Sequence, residues 1–175
     1  MAFEEMNDKK YKEMILEQEE FEYEMMVMEM EGKPTEVYES YDGELIEFRG
    51  NERNIRIPHY ITSIRDQVFL GCHNLESVKF GKNVEYIGTE CFVNCENLHS
   101  VTIPENVKYI FPKAFGYSVT ESQPYKGYGF YSSYYIRREF TKNYRFTIRG
   151  KRGTAAERYA KENGLIFEEI GENEK

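Results

Sequence analysis

Apolar residues recur along the middle of the chain at a fixed interval of 23 residues. The segments Ile55–Pro58, Val78–Gly81 and Val101–Pro104 each alternate apolar and polar side chains, which is typical of a half-buried strand. A constant period predicts a solenoid in which each turn stacks like side chains on like. The other apolar columns keep the same register: Ile61, Val84, Val107; Ile64, Ile87, Ile110; Val68, Cys91, Ala114; Phe69, Phe92, Phe115; Cys72, Cys95; Leu75, Leu98.

A single 23-residue unit buries too little apolar surface to fold alone, so the pattern requires a cap at each end. At the N-terminal end, Val37–Tyr38 and Leu45–Phe48 flank Asp42–Gly43, a pair suited to a type I′ turn. We therefore predict a hairpin that covers the first turn of the solenoid.

At the C-terminal end the pattern predicts a strand, a helix and a last strand. Phe146–Ile148 restates the repeat strand, and Thr154–Glu157 has the spacing of a capping box. The helix would stop at Gly164 and precede a strand over Leu165–Phe167. Four of its residues would face the last turn: Ala155, Ala156, Tyr159 and Ala160.

The first 31 residues have a different character. They contain all seven methionines and carry eleven Asp or Glu against three Lys, a net charge of −8, whereas the rest of the chain is neutral with twenty acids and twenty bases. Apolar residues spaced by three and four, among them Met14, Phe21, Met25 and Met28, predict an amphipathic helix that ends near Gly32. This helix could lie on its own solenoid, pair with itself in a homodimer, or bind another protein.

These patterns divide the chain into three parts. We predict an α/β repeat protein with an acidic, Met-rich amphipathic helix over 1–33, a repeat domain over 34–170 and a tail over 171–175. The repeat domain consists of an N-terminal cap (34–53), the repeats (54–118), a Tyr-rich insertion (119–145) and a C-terminal cap (146–170).

The repeat resembles a known family. The pattern Ile-Pro-x-x-Ile/Val-x-x-Ile-x-x-x-x-Phe-x-x-Cys-x-x-Leu, as in Ile57–Leu75, is similar to the BspA-like leucine-rich repeats. Asp42–Gly50 and Phe146–Gly164 resemble the caps of that family, so the resemblance covers roughly residues 37–170. It implies a short, curved leucine-rich-repeat solenoid and, for several relatives, adhesion or protein binding at the cell surface. It supplies no catalytic residues.

Few residues could carry chemistry. Cys72, Cys91 and Cys95, with His73 or His99, have the side chains that zinc prefers, but the cysteines occupy repeat columns and are therefore expected to be buried core residues. We expect no metal and no cofactor. No nucleophile stands in a relay with a base and no glycine-rich phosphate loop occurs, so we expect a protein that is not an enzyme.

Two further surfaces are candidates for binding. The outward strand positions Arg56, Lys79, Thr102 and Thr147 would form one face, either an ordinary solvated surface or a binding face. The insertion is rich in tyrosine, and we expect either a structural hairpin or a binding loop. Including the N-terminal helix, the candidate binding residues are Phe21, Met25, Met28, Arg56, Lys79, Thr102, Tyr128, Tyr131 and Tyr134.

The expected function is a non-catalytic protein–protein interaction module. One alternative is an inhibitor of a nucleic-acid enzyme in which carboxylates between Glu4 and Glu31 imitate phosphates; another is a surface adhesion protein. Seven Arg or Lys against one acid between Arg137 and Arg152 would suit nucleic acid, but the net acidity and the lack of a known module speak against that partner. With no signal sequence and no long apolar stretch, we expect a cytoplasmic location and no membrane; a removed signal would place the protein at the surface or outside the cell.

Overall fold

The computed structural model describes residues 38–121, 125–126, 134–135 and 137–171, with the backbone alone for 125–126 and 134–135. The predicted N-terminal helix lies outside these residues. The chain forms a β-solenoid of about five turns with a spacing of about 23 residues and one helix near its C-terminus. The elements are β1 Tyr38–Tyr41, β2 Glu44–Phe48, β3 Asn54–Arg56, β4 Ser63–Ile64, β5 Ser77–Lys79, β6 Tyr86–Ile87, β7 Ser100–Thr102, β8 Tyr109–Ile110, β9 Tyr117–Glu121, β10 Tyr125–Lys126, β11 Tyr134–Tyr135, β12 Arg138–Lys142, β13 Thr147–Gly150, α1 Ala155–Asn163 and β14 Ile166–Glu169.

Each repeat contributes two short strands, of which the sequence pattern predicted only the first. The predicted strands pair in parallel, β3 with β5 and β7 with β13, and β14 follows β13 at the edge. The second strands, β4, β6 and β8, also pair in parallel and continue a sheet that starts with β1 and β2. Each row has its own inward apolar residue, Ile55, Val78 and Val101 in the first and Ile64, Ile87 and Ile110 in the second.

The predicted apolar columns form the core. Every member from Ile55 to Phe115 is buried except Cys72, which is partly exposed. The rings of Phe69, Phe92 and Phe115 stack along the solenoid with centroids 4.7 and 4.8 Å apart. Burial of one such side chain stabilises the fold by about 1.5–3 kcal/mol. The repeat register inferred from the sequence is therefore confirmed.

A left-handed backbone conformation recurs at one equivalent non-glycine position of three successive turns and was not predicted. Gln67, Glu90 and Lys113 are 23 residues apart and have φ angles of 61, 55 and 58°. This region disfavours non-glycine residues by about 1–2 kcal/mol. Hydrogen bonds to the next turn offset this conformational cost. The amide of Gln67 donates to Thr89 O at 3.0 Å, and the amide of Glu90 donates to Pro112 O at 3.1 Å.

The N-terminal cap is the predicted hairpin. β1 and β2 pair antiparallel around Asp42 and Gly43, whose φ angles of 49 and 75° are both positive, as a type I′ turn requires. β2 then pairs in parallel with β4, and Leu45 is fully buried. The hairpin thus covers the first turn of the solenoid with a paired strand.

The C-terminal cap has the predicted helix, but its capping box is only half formed. The hydroxyl of Thr154 donates to Lys151 O at 2.6 Å and makes no bond to a helix amide. The carboxylate of Glu157 accepts from the amide of Gly153 at 2.8 Å. The prediction of a full capping box was therefore wrong in its Thr154 half, because this hydroxyl accepts no bond from a helix amide. The helix ends, as predicted, at Gly164, which has a left-handed φ of 60°.

The strand of the last turn is shifted by two residues from the register that the sequence suggested. Thr147, predicted to align with Thr102, lies opposite Ser100, whereas Arg149 lies opposite Thr102. Gly150 therefore occupies the inward position that follows Arg149. The helix fills the space of the missing side chain, because a Cβ on Gly150 would come within 2.5 Å of the Ala156 Cβ.

The insertion contains a hairpin. β9 pairs antiparallel with β12, and further along β10 pairs antiparallel with β11, with Tyr125 opposite Tyr135. The hairpin agrees with the structural alternative of the two expectations.

Candidate interaction surfaces

The first candidate surface is formed by the outward residues of the long strand row. Arg56 lies opposite Lys79 in β3 and β5, and Thr102 lies opposite Arg149 in β7 and β13. Backbone bonds hold the strands beneath them, since the amide of Ile57 donates to Lys79 O at 2.8 Å. We call Arg56, Lys79, Thr102 and Arg149 the outer strand face. It contains the three strand residues predicted from the sequence, with Arg149 in the place expected for Thr147.

This face is polar and rich in hydrogen-bond donors. Three of its four side chains are cationic and none is a carboxylate. Arg149 Nε donates to the carboxylate of Glu168 at 2.7 Å, on the neighbouring strand β14. Two residues earlier on the same strands, the hydroxyl of Ser77 in β5 donates to Asn54 Oδ1 in β3 at 2.6 Å, so this hydrogen bond joins two successive turns. The arrangement suits a partner that presents hydrogen-bond acceptors.

The remaining predicted site residues cannot be placed on a surface. Phe21, Met25, Met28, Tyr128 and Tyr131 lie outside the described residues. The backbone of Tyr134 belongs to β11, but its side chain is not described. These residues stay predictions.

A second surface, which the sequence analysis missed, lies on the row of short strands. Tyr86 and Tyr109 are opposite each other in β6 and β8, with 41 % and 48 % of their surface exposed. Phe111 is 39 % exposed, and its ring centroid lies 4.8 Å from that of Tyr109. We call Tyr86, Tyr109 and Phe111 the aromatic ledge. The signal was available in the sequence, since the two tyrosines share the 23-residue spacing and each precedes an inward isoleucine.

Cations border the aromatic ledge. Lys108 Nζ lies 6.0 Å from the ring centroid of Tyr86 and 2.6 Å from the carboxylate of Glu85, which raises the pKa of the lysine. Arg158 projects from α1, lies 5.8 Å from the ring centroid of Tyr109 and donates to Lys108 O at 2.8 Å. The ledge therefore combines exposed aromatic rings with two cations, of which Lys108 is paired with Glu85.

A family model matches the repeats that carry both surfaces. It is the model of the BspA type leucine rich repeat region, found in six copies over residues 48–125. Residues 48–125 belong to the BspA-type leucine-rich repeats. No curated protein and no solved structure matches the chain. The family supports a repeat-based interaction scaffold and is generally non-enzymatic.

The basic run that follows these BspA-type repeats is largely compensated by carboxylates. Five of its seven cations form ion pairs with described acids, the most buried being Arg138 Nη2 with Glu90 Oε2 at 2.8 Å. The other pairs join Arg137 to Glu139, Arg149 to Glu168, Lys151 to Glu105 and Arg152 to Glu169. The positive stretch in the sequence is therefore not a continuous positive surface in the fold.

Arg138 fixes the insertion hairpin to the repeats. Besides Glu90, its guanidinium contacts Glu121 at 3.3 Å, and Gln67 Nε2 donates to Glu90 at 2.9 Å. Burial alone would raise the pKa of the Glu90 carboxyl, but the hydrogen bonds from Gln67 and Arg138 and the nearby charges outweigh it and lower that pKa. The carboxylate is thus held charged beneath the hairpin.

The cysteines of the repeats are core residues to different degrees. Cys91 and Cys95 are buried as predicted, whereas Cys72 is only partly buried. Burial raises the pKa of all three thiols, and Cys95 Sγ donates to Phe69 O at 3.1 Å. In the described part of the chain, no group of three or more His, Cys, Asp or Glu side chains could hold a metal ion. Nor does any helix there have the length and apolar character needed to cross a membrane.

Proposed function

We propose that the chain is a non-catalytic protein–protein interaction module that binds its partner through the outer strand face. The observation that carries this proposal is the register of the strands, which sets Arg56 beside Lys79 and Thr102 beside Arg149 on one side of a fully packed core. A rigid scaffold loses little backbone entropy on binding, which favours recognition.

The composition of the face suggests the chemistry of the partner. Guanidinium, ammonium and hydroxyl groups donate hydrogen bonds, so a complementary surface would present carboxylates and carbonyl oxygens. Arg149 already binds Glu168 across neighbouring strands, an arrangement that an acidic side chain of a partner could extend. We therefore expect a protein with an acidic patch.

Charge reversal on the face tests the proposal. The full chain, a Lys79→Glu/Arg149→Glu variant and an Arg145→Glu control would each be used to capture proteins from the source cells, with quantitative mass spectrometry. Arg145 is an exposed cation in the turn before β13 and lies off the face, so it is the matched control. Circular dichroism of all three chains would check that each is folded.

We expect at least one protein to be retained by the wild type and the control but lost by the double variant. The purified pair should then bind more weakly as the salt concentration rises, because exposed charges are screened. Identical capture by the double variant and the wild type would refute binding through this face.

A further inference from the structure

The aromatic ledge is an unusual outward surface for a solenoid strand. Where one side of a sheet packs on the core, the other side is generally polar. Here two adjacent turns present Tyr86 and Tyr109 outward, and Phe111 extends the same surface. Contiguous exposed apolar groups are typical of sites that contact another polypeptide segment, a membrane or a ligand.

We propose that the aromatic ledge is the docking site of this chain's own acidic, Met-rich segment, residues 14–31. This inference goes beyond the proposed function, because it concerns a different face and a contact within the molecule. The segment carries Met14, Phe21, Met25 and Met28 at helical spacing, and thioethers make favourable contacts with aromatic rings. The outer strand face offers this apolar stripe no comparable surface.

The charges at the ledge complement those of the segment. Residues 1–31 carry a net charge of −8, and Arg158 borders the ledge, whereas the charge of Lys108 is already balanced by Glu85. Arg158 forms no ion pair among the described residues, so it is open to a carboxylate. The nearby acids do not oppose the contact, since Glu44 is bound by Arg65 at 2.6 Å and Glu85 by Lys108 at 2.6 Å.

The segment is also attached where it can reach the ledge. It precedes β1, the edge strand of the five-stranded sheet whose opposite edge, β8, carries Tyr109. Four strand spacings of about 4.8 Å place the two edges about 19 Å apart. Residues 32–37 can extend over about 20 Å, and the predicted helix over residues 14–31 would be about 27 Å long. The linker and helix can therefore cover the whole width of the sheet.

Oxidation of methionine by hydrogen peroxide tests the docking, because the rate depends on exposure of the thioether. The rates at Met25 and Met28, measured by mass spectrometry, would be compared among the full chain, a free peptide of residues 11–33, and the full chain carrying Tyr109→Ser/Phe111→Ser. The matched control is Tyr144→Ser, which removes a 69 % exposed tyrosine outside the ledge. A full-chain Arg158→Glu variant tests the charge contribution without altering the aromatic rings.

We expect both methionines to react about fivefold more slowly in the full chain than in the peptide. Tyr109→Ser/Phe111→Ser should raise the rates to those of the peptide, Arg158→Glu should raise them in part, and Tyr144→Ser should leave them low. The protection should not change on dilution, since the contact is within one molecule. Equal rates in the full chain and the peptide, or protection that survives both ledge variants, would overturn the proposal. Protection lost on dilution would assign the ledge to a second copy and would also overturn it.

Discussion

The hydroxyl of Tyr159 binds both backbone groups of Phe115. It accepts a hydrogen bond from the Phe115 amide at 2.9 Å and donates one to the Phe115 carbonyl at 3.0 Å. Both residues are buried, and burial raises the pKa of the Tyr159 hydroxyl, which keeps it protonated. A single side chain of the capping helix thus takes the place of the next turn of backbone, which would otherwise pair with Phe115.

The first prediction follows from this contact. Tyr159→Phe removes the hydroxyl and leaves a buried amide and a buried carbonyl without that partner, so it should lower the free energy of unfolding by about 1–3 kcal/mol. Urea denaturation followed by circular dichroism measures the change. Tyr109→Phe, which removes a hydroxyl from an exposed ring, should have almost no effect. Equal effects of the two substitutions would contradict the role of this hydroxyl as a cap.

The second prediction concerns the phenylalanine column. Phe92 is buried and stacked between Phe69 and Phe115, so Phe92→Ala should create a cavity and cost about 3–5 kcal/mol in the free energy of unfolding. Phe111→Ala is the matched control because Phe111 is partly exposed. If both substitutions cost less than about 1 kcal/mol, the column does not stabilise the core as the structure indicates.

The stacked core could be predicted from the sequence because the physical constraint is periodic. Each turn must place similar side chains over those of the previous turn, so Phe69, Phe92 and Phe115 reveal their contact by their spacing alone. The hairpin at Asp42–Gly43 was equally accessible, because few residue pairs adopt two consecutive positive φ angles. The repeat spacing and the residue preferences of the turn were therefore sufficient to predict the stacked core and the N-terminal hairpin.

The features that the sequence did not reveal depend on contacts between distant residues. Matching Phe146–Ile148 to the repeat strand gave the wrong register, because the correct pairing depends on the close approach of Gly150 to Ala156 in the helix. The ion pair between Arg138 and Glu90 was not predicted either, because it joins two residues that are distant in the sequence. The charge of a stretch does not show which of its members are neutralised by the fold.

The third prediction concerns that close approach. Gly150→Ala should destabilise the protein by about 1–3 kcal/mol, because the added methyl group meets the Ala156 Cβ and the helix must move. Ala156→Gly alone should cost about 1 kcal/mol from helix propensity. The double variant should be more stable than the sum of the single changes predicts, as measured by thermal and urea unfolding. Strict additivity would show that the two positions are not in contact.

The fourth prediction concerns thiol reactivity. Burial raises the pKa of all three cysteines, and only Cys72 is partly exposed. In the folded protein Cys72 should therefore react first with an aromatic disulfide reagent, and Cys91 and Cys95 should react only as the protein unfolds. Peptide mapping after timed labelling measures the order, with the urea-unfolded chain as the reference. Simultaneous reaction of all three thiols in the native protein would contradict the burial.

The fifth prediction uses the ion pair between the buried Glu90 and Arg138 at the surface as a pH-dependent contact. The pKa of the Glu90 carboxyl is lowered in the folded protein, so folding favours its charged form. Its stabilising contribution is fully present above the unfolded pKa of about 4.3 and is lost as the pH falls through the lower folded value. Glu90→Gln should therefore cost about 1–3 kcal/mol at neutral pH, since the neutral amide forms no ion pair with the guanidinium.

The pH dependence of this cost separates a charge effect from a packing effect. Below its lowered folded pKa, the protonated carboxyl of Glu90 resembles the amide of glutamine, so the difference between the two proteins should shrink as the pH falls from 7 to 3. Urea titrations at pH 7, 5 and 3 give the required free energies of unfolding. Glu47→Gln is the control, because the pKa of Glu47 is also lowered, by the hydrogen bond from Arg49, but its side chain is exposed and should not affect stability. A cost of Glu90→Gln that is the same at all three pH values would mean that shape, and not the ion pair with Arg138, holds the hairpin on the repeats.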